Sequence, residues 1–443
     1  MLFRQIFDPR LSQYAYLIGC QRTGEAVVID PQRDVDRYLR LAEDEGVRIV
    51  ATAETHIHAD FLSGSRELAH QVGAKVYVSG LGGPDWQVEW LDRDEGVQFQ
   101  RLADGDTIHI GNIELKVVYS PGHTPEHVSY LVTDHGGGAD EPMGIASGDF
   151  VFVGDLGRPD LLESAAGEAG AMEPSARRLF ASASSFMELP DHMQVWPGHG
   201  AGSACGKALG AVPMSTVGYE KRHNASLDAV RRGEDAFVAA ILDGQPEPPV
   251  YFARMKKLNR IGAPVLGELP RPERLGDEAL KALVEAGASD TVILDTRVDR
   301  ADFLARHLPG SLCAPLDRTF PTVAGSYVEP EQSIYLLADE HEVEDAVREL
   351  IRIGFDNIKG WAPLASLDTA GVGLESIATV GLDVAQKDAA QKDAAQGGDA
   401  LALDVRRAAE FREGAVDGAL NIAHTRLAAR FDEIPQGRPL NVY

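Results

Sequence analysis

The sequence predicts an α/β protein of more than one domain. Three observations carry that expectation. Short β-rich runs alternate with helical stretches through the first quarter, the texture changes near Ala263, and a strand, Asp-x-Arg, helix pattern occurs twice in the last third. At 443 residues the chain exceeds one ordinary core. Apolar residues make up 44% of it, enough to bury several cores and to exclude global disorder.

Taken in order, YAYLI (Tyr14 to Ile18) and AVVID (Ala26 to Asp30) read as strands around a turn at Thr23-Gly24. Asp34 to Gly46 has the helical spacing of Val35, Tyr38, Leu39 and Ala42 and stops on glycine. RIVATAETH is a buried strand running into a His-rich loop, followed by a helix from Ser65 to Val72, the strand AKVYVSG, a strand pair around Gly105, and IELKVVYSPGH. Strands that each end in polar residues place the chemistry on their loops. Beyond Ala263, APVLGELPRPERLG reads as a domain entry rich in Pro and Gly. VILDTR, a helix, HLPGSL, SIYLLAD, a second helix and GFDNIKG follow; ALALDVRRAAEFREGAVDGALNI repeats the pattern about 110 residues later. Between the copies, AQKDAAQKDAAQGG (Ala385 to Gly398) has too few apolar side chains to pack and reads as a tether. The expected domains are 1–255, 256–370, a linker over 371–398 and a partial second module over 399–443, whose central strand begins at RPLNVY.

The formal net charge of −26, with no Lys/Arg cluster, excludes phosphate backbones as a natural partner and gives a self-repelling surface. No apolar run approaches the roughly 18 residues of a membrane span, and the first residues lack a signal peptide's basic-then-apolar order. Three cysteines, Cys20, Cys205 and Cys313, lie far apart without a CxxC pair, so the expectation is a reducing, cytoplasmic setting.

Four polar punctuations stand out, each at the end of a strand. Thr55-His56-Ile57-His58-Ala59-Asp60-Phe61 sets two imidazoles two residues apart on an extended loop, with a carboxylate two further on. Pro121-Gly122-His123-Thr124-Pro125 follows a strand with a sharp turn, Ser147-Gly148-Asp149 ends another, and Pro197-Gly198-His199-Gly200 ends MQVW. One HxH alone is as easily structural; four in this order are metal chemistry.

That ordered set, HxHxD, PGHT, GD and PGHG, resembles the metallo-β-lactamase superfamily over about residues 1 to 255. The resemblance implies an αββα sandwich. Members with two metals continue the first motif as HxHxDH, and Phe61 stands at that last position. His56, His123 and Asp149 then remain as one complete site, the two-His, one-carboxylate set of non-haem Fe(II) oxygenases. Gly148-Asp149-Phe150 through Gly157-Arg158-Pro159-Asp160 is similar to the persulfide dioxygenases. That narrower resemblance implies one Fe(II) per chain on His56, His123 and Asp149, a site that zinc could also fill. It implies oxidation of a glutathione-type or other thiol persulfide by O₂ to sulfite and thiol, in sulfide detoxification. His58, Asp60, Phe61, Asp160 and His199 are expected around the ligands, and a second copy of the chain is an expected partner. Arg158 is expected to meet an anion, either the substrate or Asp160. Cys205, six residues past His199, either carries sulfur or is a small buried residue. The alternatives are a two-metal thioester hydrolase of the glyoxalase II type and a metal-binding sulfur carrier without catalysis.

The rear modules resemble rhodanese domains through Asp295-Thr296-Arg297, His307-Leu308-Pro309-Gly310 and Gly354-Phe355, and again through Leu403-Asp404-Val405-Arg406 and Gly418-Ala419-Leu420. That family places a Cys straight after the central strand. Here the first copy has Leu337-Ala338-Asp339-Glu340-His341, and the second is expected to stop before its loop.

Overall fold

Alternation along the strands decides the layers. In the computed structural model, residues 1–164, 169–381, 400–437 and 439–443 are described. The first sheet runs in sequence order through β1 (Leu2–Asp8), β2 (Gln13–Cys20), β3 (Glu25–Ile29), β4 (Arg48–Ala53), β5 (Lys75–Ser79) and β6 (Phe99–Leu102). Its first three strands pair antiparallel and the rest parallel. Tyr14, Tyr16 and Ile18 face one way from β2 while Ala15 and Leu17 face the other, and all are buried. A strand buried on both faces needs a layer on each side. On one side lie helices Asp36–Asp44 and Ser65–Val72, through Tyr38, Ala42 and Leu68. On the other lies a second sheet.

That sheet comprises β7 (Thr107–Ile110), β8 (Ile113–Tyr119), β9 (Val128–Asp134), β10 (Gly144–Gly148), β11 (Gln194–Pro197) and β12 (Ser215–Thr216), again in order. Tyr130, Val132, Ala146 and Trp196 join the core between the sheets. The far face of this sheet is covered by helices Met172–Phe186, Ala225–Val230 and Glu234–Leu242, through Leu179, Phe186, Leu227 and Phe237. The layers therefore run helix, sheet, sheet, helix. Loops leaving the C-terminal ends of β4, β8, β10 and β11 carry His56, His123, Asp149 and His199.

One expected pairing is corrected. β6 and β7 flank Gly105 but do not pair with each other; they belong to different sheets, and β7 turns back onto β8 instead. The physical reason is burial, because Leu102, Ile108 and Ile110 all enter the core between the sheets. Strands β1 and β9 were not foreseen.

Contacts divide the chain into two compact units, Met1–Pro270 with Arg348–Gly354, and Arg271–Val347 with Phe355–Tyr443. The second unit holds a parallel sheet of β13 (Glu273–Arg274), β14 (Thr291–Asp295), β15 (Leu312–Cys313), β16 (Ser333–Leu337) and β17 (Ile358–Ala362), in the order β13-β17-β16-β14-β15. A three-stranded parallel sheet follows, β18 (Leu401–Asp404) between β19 (Leu420–Asn421) and β20 (Leu440–Val442). The internal repeat is visible as geometry. Arg297 clasps buried Asp295 at 2.7 Å, and Arg406 clasps buried Asp404 at 2.7 Å. Asp295 opposes Cys313 on β15 as Asp404 opposes Asn421 on β19. The tether Ala385 to Gly398 and the residue Arg438 lie outside the described residues. Among those described, no helix is long and apolar enough to cross a membrane.

Candidate metal centre

His56, His123 and Asp149 converge. Their candidate ligand atoms lie within 4.8 Å of one another, and all three residues are buried. Asp149 Oδ2 lies 3.9 Å from His56 Nε2 and 3.4 Å from His123 Nε2. Ligands about 2.1 Å from one ion stand roughly 3–3.5 Å apart, so a small relaxation closes the set. The second nitrogen of each imidazole is already assigned. Thr55 gives its hydroxyl proton to Asp30 (2.8 Å), so at 2.9 Å from His56 Nδ1 it accepts. The Arg158 carbonyl, 3.0 Å from His123 Nδ1, can only accept. Both rings therefore carry hydrogen on Nδ1 and present a lone pair at Nε2. Burial, with His58 nearby, pushes His56 well below the usual histidine range, and burial lowers His123 as well. Against burial, His199 and the two imidazoles hold Asp149 well below the carboxylate range. His56 Nε2 and Asp149 Oδ2 are buried without a hydrogen-bond partner among the described residues. Such orphaned buried atoms fit a cation. As one expected outcome, Thr55→Val should weaken metal affinity about 10–100-fold in a chelator competition by freeing the His56 ring; unchanged affinity would refute this role.

The surroundings hold the ligands from several sides. His199 donates from Nδ1 to Asp149 Oδ1 and from Nε2 to Asp60 Oδ2, both at 2.7 Å. Burial alone would lower it, but the two carboxylates outweigh burial and raise it to about 10. His199 is thus an imidazolium bridging two aspartates. His127, whose part went unforeseen, accepts the Asp149 backbone N–H at Nε2 (3.1 Å) and donates to Ser120 Oγ (2.9 Å). Gly148 sits at φ +51°, and a Cβ there would stand 2.5 Å from Thr55 Oγ1 and 2.9 Å from His127 Nε2, so only glycine brings Asp149 this close. His58 turns to Glu54 (3.1 Å) and Asp30 (3.2 Å), and Asp30 in turn fixes Thr55. Neither Asp30 nor Glu54 was singled out in the sequence, although Asp30 ends a strand in a polar residue.

Phe61 is fully buried, its ring stacked on His58 with centroids 4.3 Å apart. Arg158 directs Nε and Nη2 at Asp160 (2.7 and 2.6 Å) and Nη1 at the Ala204 carbonyl (3.1 Å), deep in the protein. Of the two anions open to it, Asp160 is the one in contact. Cys205 joins Asp60 and His199 in a second buried group within 4.8 Å. Burial, then the Asp149 and Asp60 charges, push its thiol well above the usual range, so it stays protonated.

The metallo-beta-lactamase superfamily model matches residues 8–199. Over 45% of this chain and 68% of its own length, the mitochondrial persulfide dioxygenase ETHE1 of Bos taurus is 30% identical. A crystal structure described as a metallo-beta-lactamase from Staphylococcus aureus subsp. aureus COL is 40% identical, with a TM-score of 0.71, over 82% of this chain and 99% of that one. The chain belongs to the metallo-beta-lactamase superfamily. A beta-lactamase hydrolase-like protein of Xylella fastidiosa is 31% identical over 62% of this chain, which spans 63% of that relative's length.

Proposed function

We propose that the chain is a mononuclear non-haem iron enzyme that oxidises a low-molecular-weight persulfide with O₂ to sulfite and the free thiol. The carrying observation is the convergence of two neutral Nε2 imidazoles and one carboxylate oxygen at His56, His123 and Asp149, beside a second group whose histidine is engaged by two aspartates. The balance is RSSH + O₂ + H₂O giving RSH, sulfite and two protons, with the outer sulfur losing the four electrons that O₂ gains. Ferrous iron, when bound, supplies open coordination positions and electron transfer toward O₂, which zinc does not.

The protein's own part is positioning and exclusion. Thr55 and the Arg158 carbonyl fix which imidazole nitrogen faces the centre. His199 keeps Asp149 Oδ1 occupied, leaving Oδ2 as the single carboxylate donor. Beside His123 and Thr124 lies a cavity of about 340 Å³ including its open mouth, walled mostly by apolar residues, Ile57, Trp86, Leu161, Leu162 and Phe252, with Lys256 also in its lining. Such walls exclude water from a reactive sulfur and suit its soft, apolar surface. Thr124, whose hydroxyl is buried close to the Glu126 carboxyl, also lines this cavity. The test is O₂ uptake with glutathione persulfide after anaerobic iron loading. We expect one sulfite per O₂; uptake absent in the iron form would end this reading.

A second reading has its own observation. The Asp60, His199 and Cys205 group lies next to Asp149 and could complete a two-metal hydrolase. Thioester hydrolysis by a dizinc form, with no O₂ uptake by the iron form, would select it.

For the second unit we infer a rhodanese-like module without sulfur-transfer chemistry. Supporting this are its parallel sheet, the repeated Asp–Arg clasp, and the exposed Asp339 and Glu340 after β16 where a persulfide anion would need backbone donors. Of the three cysteines, Cys20 lies in β2, Cys205 beside the metal centre, and Cys313 in β15. Burial and Asp295 push Cys313 up, away from the thiolate form. We expect no thiosulfate:cyanide turnover from the 443-residue chain. Robust turnover that Cys313→Ser abolishes would overturn this inference.

A further inference from the structure

A second cavity, of about 440 Å³ with its open mouth, shares Ile57 and Trp86 with the one just described and reaches the His56 ring. Its walls include Val78, Trp86, Val88 and Trp90, each at most 8% exposed. Two carboxylates line it: Glu54 is engaged by His58, Ser63 and Ser65, whereas Glu126, itself only 2% exposed, stands among the apolar and aromatic walls. Its Oε1 accepts the Ile57 backbone N–H at 2.8 Å. Its Oε2 is buried and meets no partner at full hydrogen-bond geometry among the described residues, although the Thr124 hydroxyl lies close enough to act on the carboxyl. A buried carboxyl oxygen that lacks a full-geometry partner is one that a bound cation would complete, favouring the ionised form. Burial pushes Glu126 up to about 7, the direction a cation would reverse. Lys256 is near enough to act on its charge, but it does not hydrogen-bond Oε2.

The tryptophans narrow the ligand. Both already attract cations from the chain itself, Lys256 Nζ lying 3.8 Å from the Trp86 ring centroid and Arg66 Cζ 5.6 Å from that of Trp90. Negative aromatic faces and a carboxylate in one apolar cavity favour a positive charge wrapped in methylene or methyl groups. A bare metal ion would have to compete for oxygens of Glu54, Ser63, Ser65 and Asn259 that are already bonded within the protein, and a neutral molecule would leave the Glu126 charge unmatched. We propose that this cavity is a binding site for an organic ammonium group, held by Glu126 and the Trp86 and Trp90 rings. Two sources share that chemistry: the amino group of the substrate persulfide itself, or a separate small ammonium compound. The site's existence goes beyond the proposed reaction; its use by substrate rests on that reading.

The test titrates the full-length metal-loaded protein at pH 8 and constant ionic strength, reading tryptophan fluorescence. Choline is the probe and 3,3-dimethylbutan-1-ol its uncharged counterpart. We expect a saturable change, with choline binding about tenfold more tightly than the alcohol. Glu126→Gln keeps an oxygen for the Ile57 N–H and should bring the two affinities to within about twofold, because only the charge is lost. Trp90→Leu, read through the remaining tryptophans, should also reduce the preference. Equal affinities in the wild-type protein, or a preference that survives in folded Glu126→Gln, would overturn the proposal. Should that variant fail to fold, the wild-type comparison and Trp90→Leu still decide. The source is read separately, with persulfides of cysteamine and of 2-mercaptoethanol. Choline raising the apparent KM of the first alone identifies a substrate tail, and choline acting on both or neither alike identifies a separate ligand. If no persulfide were consumed while choline still bound selectively, the proposed reaction would fail and this site would stand.

Discussion

Asp149→Ala should leave the protein folded but without its metal, with content falling from one ion per chain to background and persulfide-dependent O₂ uptake abolished. The residue supplies the carboxylate oxygen that converges with His56 and His123, and the only negative charge in that three-residue set. Two neutral imidazoles alone hold a divalent ion far more weakly, because charge and donor number fall together. The loss has a second consequence. His199 now bridges Asp149 and Asp60, and with one carboxylate gone its imidazolium loses half of its support. It should then titrate nearer the ordinary histidine range, which NMR of its ring can follow. Full metal content in Asp149→Ala would place the ion elsewhere.

The next largest effect is expected at Arg158, and it should appear in stability. Arg158 and Asp160 form a charge pair that is 1% and 6% exposed at the side chains, joined by two short hydrogen bonds. Removing one partner leaves a buried, uncompensated charge, so Arg158→Leu should cost about 3–5 kcal/mol. The Asp160→Leu companion should recover part of that cost, because an apolar pair replaces an ionic one. The Arg158 backbone also binds His123 Nδ1 through its carbonyl and the Cys205 carbonyl through its N–H (3.2 Å). A slack loop should therefore lower metal affinity in step with the melting temperature. A variant with wild-type stability but a raised KM would instead assign Arg158 to the substrate.

How much of this was legible in the sequence depends on whether a feature is local. The ligands could be read because each lies in the loop just past a strand, His56 in a His-x-His pair and the other two behind glycine, as in Pro121-Gly122-His123 and Gly148-Asp149. The helix Ser65–Val72 and the strands β2, β3, β5 and β8 were legible from period and turn residues for the same reason. Asp30 was not, because its partner Thr55 is 25 residues away. Only the parallel pairing of β3 with β4, in register at Ile29 and Ala53, brings them together. The work of His127 on Asp149 was not legible either, because it needs the β8–β9 hairpin that returns His127 to Ser120. The turn at Gly105 was misassigned because a turn residue does not say which sheet the next strand joins. Pairing across sheets is a property of the core, and no window of sequence contains it.

The central claim is one metal ion on three residues, with the neighbouring position closed. It is tested most directly by crystallography of the anaerobically iron-loaded protein, with anomalous difference maps at the iron edge. The account predicts one peak per chain, in contact with His56 Nε2, His123 Nε2 and Asp149 Oδ2, and His199 still bonded to both aspartates. Two peaks bridged by Asp149, the second touching Asp60, His199 or Cys205, would contradict it.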